Sequence, residues 1–124
     1  MAKVNLVEKK KQLGLDDIIK FQLVTHCYLE KLSVSEADLN CMSLLGTLGE
    51  TDLSEFCTLI ANKGIFKTTQ TVRNCLVRME KYGIIVKEGP AKKRLIKLNP
   101  DNKIQTIGNV LLFYKFIYLD TTQS

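Results

Sequence analysis

The chain has no tryptophan, one histidine, two prolines and four cysteines among its 124 residues. Each scarcity removes a class of chemistry. A zinc centre needs closely spaced Cys and His ligands, and a disulfide scaffold needs a dense cysteine framework; Cys27, Cys41, Cys57 and Cys75 stand well apart with no CxxC pair, so neither is expected. They are expected instead as reduced thiols in a reducing compartment, packing as small apolar side chains, with Cys75 the one whose cationic neighbours suit a redox sensor. There is no phosphate-cradling glycine loop, no nucleophile elbow and no clustered carboxylate pair. His26 lies among apolar residues at helical spacing, the setting of a packed histidine rather than a catalyst. The expectation is therefore no enzyme activity, no metal and no cofactor. The longest apolar run, residues 110–119, is interrupted by Lys115 and is too short to span a bilayer, and no apolar segment follows the basic start. No membrane partner is expected, and the expected location is intracellular and cytoplasmic.

What is present is apolar material for one core and an uneven charge. At 45% hydrophobic residues, the chain has enough for one domain over residues 14–124, preceded by a lysine-rich arm at 1–13. The formal net charge of +5 is segregated: residues 63–97 carry ten Lys/Arg against Glu80 and Glu88, a net of +8, whereas residues 12–56 carry Lys20 and Lys31 against eight acids, a net of −6. A basic face concentrates positive potential where a phosphate backbone can lie.

Periodicity and punctuation then divide the chain. Asp16 and Asp17 open a helix whose apolar side chains run from Ile18 to Leu32. Ser33 or Ser35 caps a second helix bearing Leu39, Met42, Leu44 and Leu45, ending near Leu48. Thr51 as a capping hydroxyl, with the acids Asp52 and Glu55 in the first turn, reads as the start of a third, with Leu53, Phe56, Leu59 and Ile60 buried and its end near Lys63 and Gly64. Thr68 or Thr69 caps a basic helix that ends at Gly83, with Val72, Leu76, Met79 and Tyr82 on one face and Gln70, Arg73, Asn74, Arg78 and Lys81 largely elsewhere. Residues 84–87 and 94–98 read as short strands around the Gly89-Pro90 turn. A last helix is expected over residues 103–119, ending in the apolar VLLFYKFIYL.

Over roughly residues 35–100 the pattern resembles the MarR-type (multiple-antibiotic-resistance regulator) winged helix-turn-helix family. The resemblance rests on Ser35-Glu36-Ala37-Asp38-Leu39 ahead of Leu44-Leu45, on Leu53-Ser54-Glu55-Phe56-Cys57, and above all on TVRNCLVRMEKYGII from Thr71. The offsets from Val72 to Leu76, Met79, Glu80, Gly83, Ile84 and Ile85 look like that family's recognition helix and first wing strand, and Leu98-Asn99-Pro100 is similar to the close of its wing. The implied fold is mainly α with a small β-hairpin: a winged helix-turn-helix at residues 52–98 with flanking N- and C-terminal helices.

That resemblance implies double-stranded DNA as partner and a dimeric transcriptional regulator as role. The N-terminal half of the basic helix would enter the major groove, with Gln70, Arg73 and Asn74 reading bases. Lys67, Thr68, Thr69, Thr71, Arg78 and Lys81, with Lys92, Lys93 and Arg94 of the wing, would contact phosphates. A two-fold interface would be built from the first and last helices, through Phe21, Leu111, Leu112, Phe113, Phe116, Ile117 and Tyr118. The alternative reading is a structural subunit of a larger assembly, for example a virus particle or a DNA-handling complex, that keeps the fold; its location would then be the virion. It is favoured by the many large side chains of residues 110–119, which must pack against something. The sequence names neither a target site nor a small-molecule effector.

Overall fold

The computed structural model describes residues 2–107 and 110–121, with the side chains of residues 2–13, 110–112, 120 and 121 outside that description. The described residues are mixed α and β: four α-helices, a three-stranded antiparallel sheet and a separate two-stranded ribbon. Strand β1 (Ala2–Leu13) leads into α1 (Leu15–Leu29) and α2 (Glu36–Leu48). The two-residue β2 (Thr51–Asp52) precedes α3 (Leu53–Asn62) and α4 (Thr69–Lys81), which are followed by β3 (Ile85–Glu88) and β4 (Leu95–Leu98). A single 3₁₀ turn at Pro100–Asn102 and the long β5 (Val110–Thr121) complete the order.

Local chemistry sets most boundaries. Ser35 and Asp38 form a reciprocal capping box: the Ser35 Oγ accepts from the Asp38 N–H at 3.1 Å and Asp38 Oδ2 from the Ser35 N–H at 3.0 Å, which resolves the choice between Ser33 and Ser35. Asp52, not Thr51, caps α3, accepting from the Glu55 N–H at 3.0 Å; Thr51 lies in β2 and its hydroxyl donates to the Gly49 carbonyl. Thr68 caps α4 through a 3.1 Å bond from the Thr71 N–H. Gly83 ends it at φ 76°, a left-handed conformation that lets the Ile84 N–H reach back to the Met79 carbonyl at 2.9 Å.

The core lies where α1, α2, α3 and α4 meet the sheet. Ile19, Leu23, Met42, Leu45, Phe56, Ile60, Val72, Leu76, Met79, Ile84, Ile85 and Ile96 are closed to solvent, and all four cysteines are buried among them. In the sheet, β4 is central, with Ile85 opposite Leu98 on one side and Thr51 opposite Ile96 on the other. The hairpin thus stays attached to the start of α3 through β2, a third strand that the periodicity of the chain does not announce. Asn99 and Asn102 both donate to the Gly83 carbonyl, at 3.0 and 2.9 Å, tying the exit of β4 to the end of α4.

The two ends of the chain differ from expectation. Residues 110–121 are extended rather than helical, and the basic stretch before Gly14 is their antiparallel partner rather than a loose arm. The helix expected over 103–119 fails for a physical reason: Val110, Phe113, Tyr114, Phe116, Ile117, Tyr118 and Thr121 are aromatic or β-branched residues that favour a pleated strand, and an unbroken apolar run has no period that separates helix from strand. The register runs from Ala2 opposite Thr121 to Leu13 opposite Val110. Tyr114 and Phe116 meet edge to face at 5.5 Å between ring centroids. α1 also ends at Leu29, short of Leu32, with Lys31 left-handed at φ 57°.

Candidate nucleic-acid interface

Helix α4 divides sharply into two faces. Val72, Cys75, Leu76 and Met79 are buried, and Tyr82 is half-buried beyond the helix end. Gln70, Thr71, Arg73, Asn74, Arg78 and Lys81 are exposed, as are Lys67, Thr68 and Thr69 before them and Lys92, Lys93 and Arg94 across the hairpin turn. All twelve residues expected to meet nucleic acid therefore lie at the surface of the same half of the chain.

Their hydrogen bonds separate them into groups. The Thr68 and Thr71 hydroxyls lie 2.8 Å apart and are engaged in the helix cap. Gln70 and Asn74, one turn apart, are joined by an amide hydrogen bond of 3.0 Å from Gln70 Nε2 to Asn74 Oδ1. Arg78 reaches away from the others, donating at 2.9 Å to Oδ1 of Asp38 on α2, a carboxylate only 2% exposed. Lys87 pairs with Glu80 at 3.3 Å and Lys97 with Glu88 at 3.4 Å. The side chains of Lys67, Lys81, Lys92, Lys93 and Arg94 have no partner among the described residues.

Arg73 is turned toward α3, its guanidinium 3.3 Å from the Ser54 hydroxyl. It forms one wall of an open polar cleft of ≈ 280 Å³ between α3, α4 and the hairpin, lined by Asp52, Leu53, Ser54, Arg73, Glu80, Lys87, Ala91, Lys92 and Arg94. Three segments distant in sequence are brought together here because β2 pairs with β4: the Leu53 N–H donates to the Arg94 carbonyl at 2.9 Å, which holds the start of α3 against the hairpin. Ser54 and Asp38 are given no part in binding or anchoring by the sequence reading. For Asp38 a signal was present in Ser35-x-x-Asp38, a capping box by spacing; for Ser54 there was none, since its role depends on a long-range approach.

No family model, no curated protein and no solved structure matches the chain.

The thiols behind this surface are closed off. Cys75 is fully buried, and its hydrogen bond with Cys41, together with burial, holds its pKa far above the ordinary thiol range. Burial likewise raises Cys27 and Cys57, the latter against the lowering pull of Arg73 and Lys87. A sensor needs an accessible thiolate, so the redox role considered for Cys75 is overturned.

Of the expected oligomer contacts, Phe21 is 48% exposed on α1, and Phe113, Phe116, Ile117 and Tyr118 are 49–56% exposed on β5. The side chains of Leu111 and Leu112 lie outside those described. Among the described residues, no helix is long and apolar enough to cross a membrane.

Proposed function

We propose that the chain is a DNA-binding protein of the winged helix-turn-helix class, with α4 as the helix that enters the major groove and the β3–β4 hairpin as the wing. The observation that carries this reading is the outward face of α4. It bears Gln70 and Asn74, amide side chains suited to adenine, and it is flanked by cations that no carboxylate among the described residues neutralises, Lys67 before the helix, Lys81 at its end, and Lys92, Lys93 and Arg94 on the hairpin. An ordinary solvated surface of this size intersperses its charges; here the acids lie largely on the other half of the chain.

The test is a fluorescence-anisotropy titration of a 25-bp random duplex between about 50 and 200 mM salt. With roughly five phosphates neutralised, log K should fall against log salt with a slope of about −4 to −5. Absence of binding to any duplex at the lowest salt overturns the proposal.

A second reading is that of a subunit within a larger assembly. What favours it is the apolar surface on α1, where Phe21, Val24, Tyr28 and Leu29 are 41–81% exposed, and on β5. A dimeric regulator places two α4 helices about 34 Å apart, one turn of duplex. An assembly subunit instead covers α4 or the hairpin with a neighbour. Mass measurement by light scattering, with and without duplex, separates the two.

A further inference from the structure

We propose that the cleft between α3, α4 and the hairpin is a binding site for one backbone phosphate, and that Arg73 grips that phosphate rather than a base. The proposal rests on the DNA-binding reading and deepens it, since it fixes what Arg73 contributes.

Arg73 stands in the same row as Gln70 and Asn74 by sequence, but its guanidinium is directed sideways. It is held 3.3 Å from the Ser54 hydroxyl at the first turn of α3. A guanidinium committed to the neighbouring helix is poorly placed to reach a guanine edge in the groove, and well placed to offer its fork to an anion lying between the two helices.

The rest of the cleft is built for such an anion. Its two acids are already occupied: Asp52 accepts the Glu55 N–H as the cap of α3, and Glu80 pairs with Lys87. Three cations remain to face the cleft, Arg73 from α4 and Lys92 and Arg94 from the hairpin. At the start of α3, the Leu53 N–H is taken by the Arg94 carbonyl and the Glu55 N–H by Asp52. The Ser54 N–H between them has no partner among the described residues, and it sits at the positive end of the helix. A phosphate seated there receives the Arg73 fork, the Ser54 hydroxyl and N–H, and the charge of the two hairpin cations. The cleft, at ≈ 280 Å³, holds such a group with its water. Sequence preference then falls to Gln70 and Asn74, while Arg73 sets how far the hairpin and α4 can engage one strand together.

Arg73→Ala, with Ser54→Ala as a second variant outside the core, tests this in two measurements. One is the salt dependence of binding to a random duplex. The other is the set of sequences recovered from a randomised duplex pool. Arg73→Ala is expected to weaken binding roughly tenfold for all sequences, to make the salt slope shallower by about 0.9, and to leave the recovered sequences the same. Ser54→Ala should weaken binding without altering the recovered set. A recovered set that loses preference at one base pair, or an unchanged salt slope, overturns the phosphate assignment while leaving DNA binding intact.

Should the wild-type protein bind no duplex, the DNA reading fails by itself, and titration with inorganic pyrophosphate then decides the cleft separately. NMR signals of the Ser54 amide and the Arg73 Nε should shift in the wild type, and the Ser54 amide signal should stay in place in Arg73→Ala; unmoved signals in the wild type overturn the site.

Discussion

The Arg78–Asp38 pair gives the sharpest quantitative test of how α4 is held. Asp38 is 2% exposed and uses both carboxylate oxygens: one accepts the Ser35 N–H at 3.0 Å, the other the Arg78 guanidinium at 2.9 Å. Arg78 is 46% exposed. The two deletions are therefore unequal. Arg78→Met keeps the aliphatic packing but leaves a buried carboxylate without its countercharge, which costs about 3–5 kcal/mol for fully buried pairs; with the arginine half in water, about 2–3 kcal/mol is expected. Asp38→Asn leaves a guanidinium that water can solvate, and one remaining oxygen to serve two donors, so the loss is one charge-assisted bond, about 1.5–2 kcal/mol. The double variant should cost less than the two losses combined, because the unpaired charge is gone. Urea denaturation followed by far-UV circular dichroism measures all four proteins. The reasoning is refuted if Arg78→Met unfolds at the wild-type midpoint, or if Asp38→Asn proves the more damaging of the two.

Other expectations follow from backbone, thiols and core. Gly83→Ala should lose about 1 kcal/mol, since φ is 76° and no steric neighbour explains a loss otherwise, whereas Gly14→Ala, at φ −72° in open space, should be neutral within about 0.5 kcal/mol; equal effects in chemical denaturation would contradict the strain argument. Phe56→Ala, at a fully closed position, should cost about 3–5 kcal/mol by the same assay, and a loss under 1 kcal/mol would mean the core is not where it is drawn. Native Cys27, Cys57 and Cys75 keep their protons where the unfolded chain starts to release them, so their contribution to stability is complete below about pH 8.5 and declines as pH rises past it. Denaturant midpoints that climb between pH 8 and 9.5, or rapid alkylation of the folded protein at pH 8, would show that these thiols are open to solvent.

How much of this was legible in the chain depends on the range of the interaction. The four helices, the Gly83 stop and the buried face of α4 are set by residues three or four apart, and the hydrophobic spacing exposes them directly. The spacing alone does not decide the cap of α3, because Thr51 and Asp52 are both good caps. What removes Thr51 from the helix is its pairing with Ile96, some forty-five positions away. The β1–β5 ribbon is hidden in the sequence for the same reason at larger scale. Residues 2–13 are rich in lysine and read alone as a solvated arm; residues 110–121 are rich in large apolar side chains and read alone as a buried helix. Only their backbone register, from Ala2 opposite Thr121 to Leu13 opposite Val110, turns two poor segments into one pair.

The candidate interface shows what a charge count by itself leaves out. Ten cations in residues 63–97 imply a uniform basic surface, yet Arg78, Lys87 and Lys97 are paired with carboxylates, two of them from within the same segment. Positive potential therefore concentrates on fewer side chains, those before α4, at its end and on the hairpin turn. Arg78 and Arg73, five positions apart on one helix, have the same charge and opposite tasks. The first anchors α4 to α2 through a buried acid; the second lies at the rim of a cleft whose own acids are already engaged. If anchoring is what Arg78 does, its loss must lower stability while leaving the salt slope of DNA binding at its wild-type value in the fraction that remains folded. A slope reduced by about one phosphate in Arg78→Met would return that residue to the binding surface.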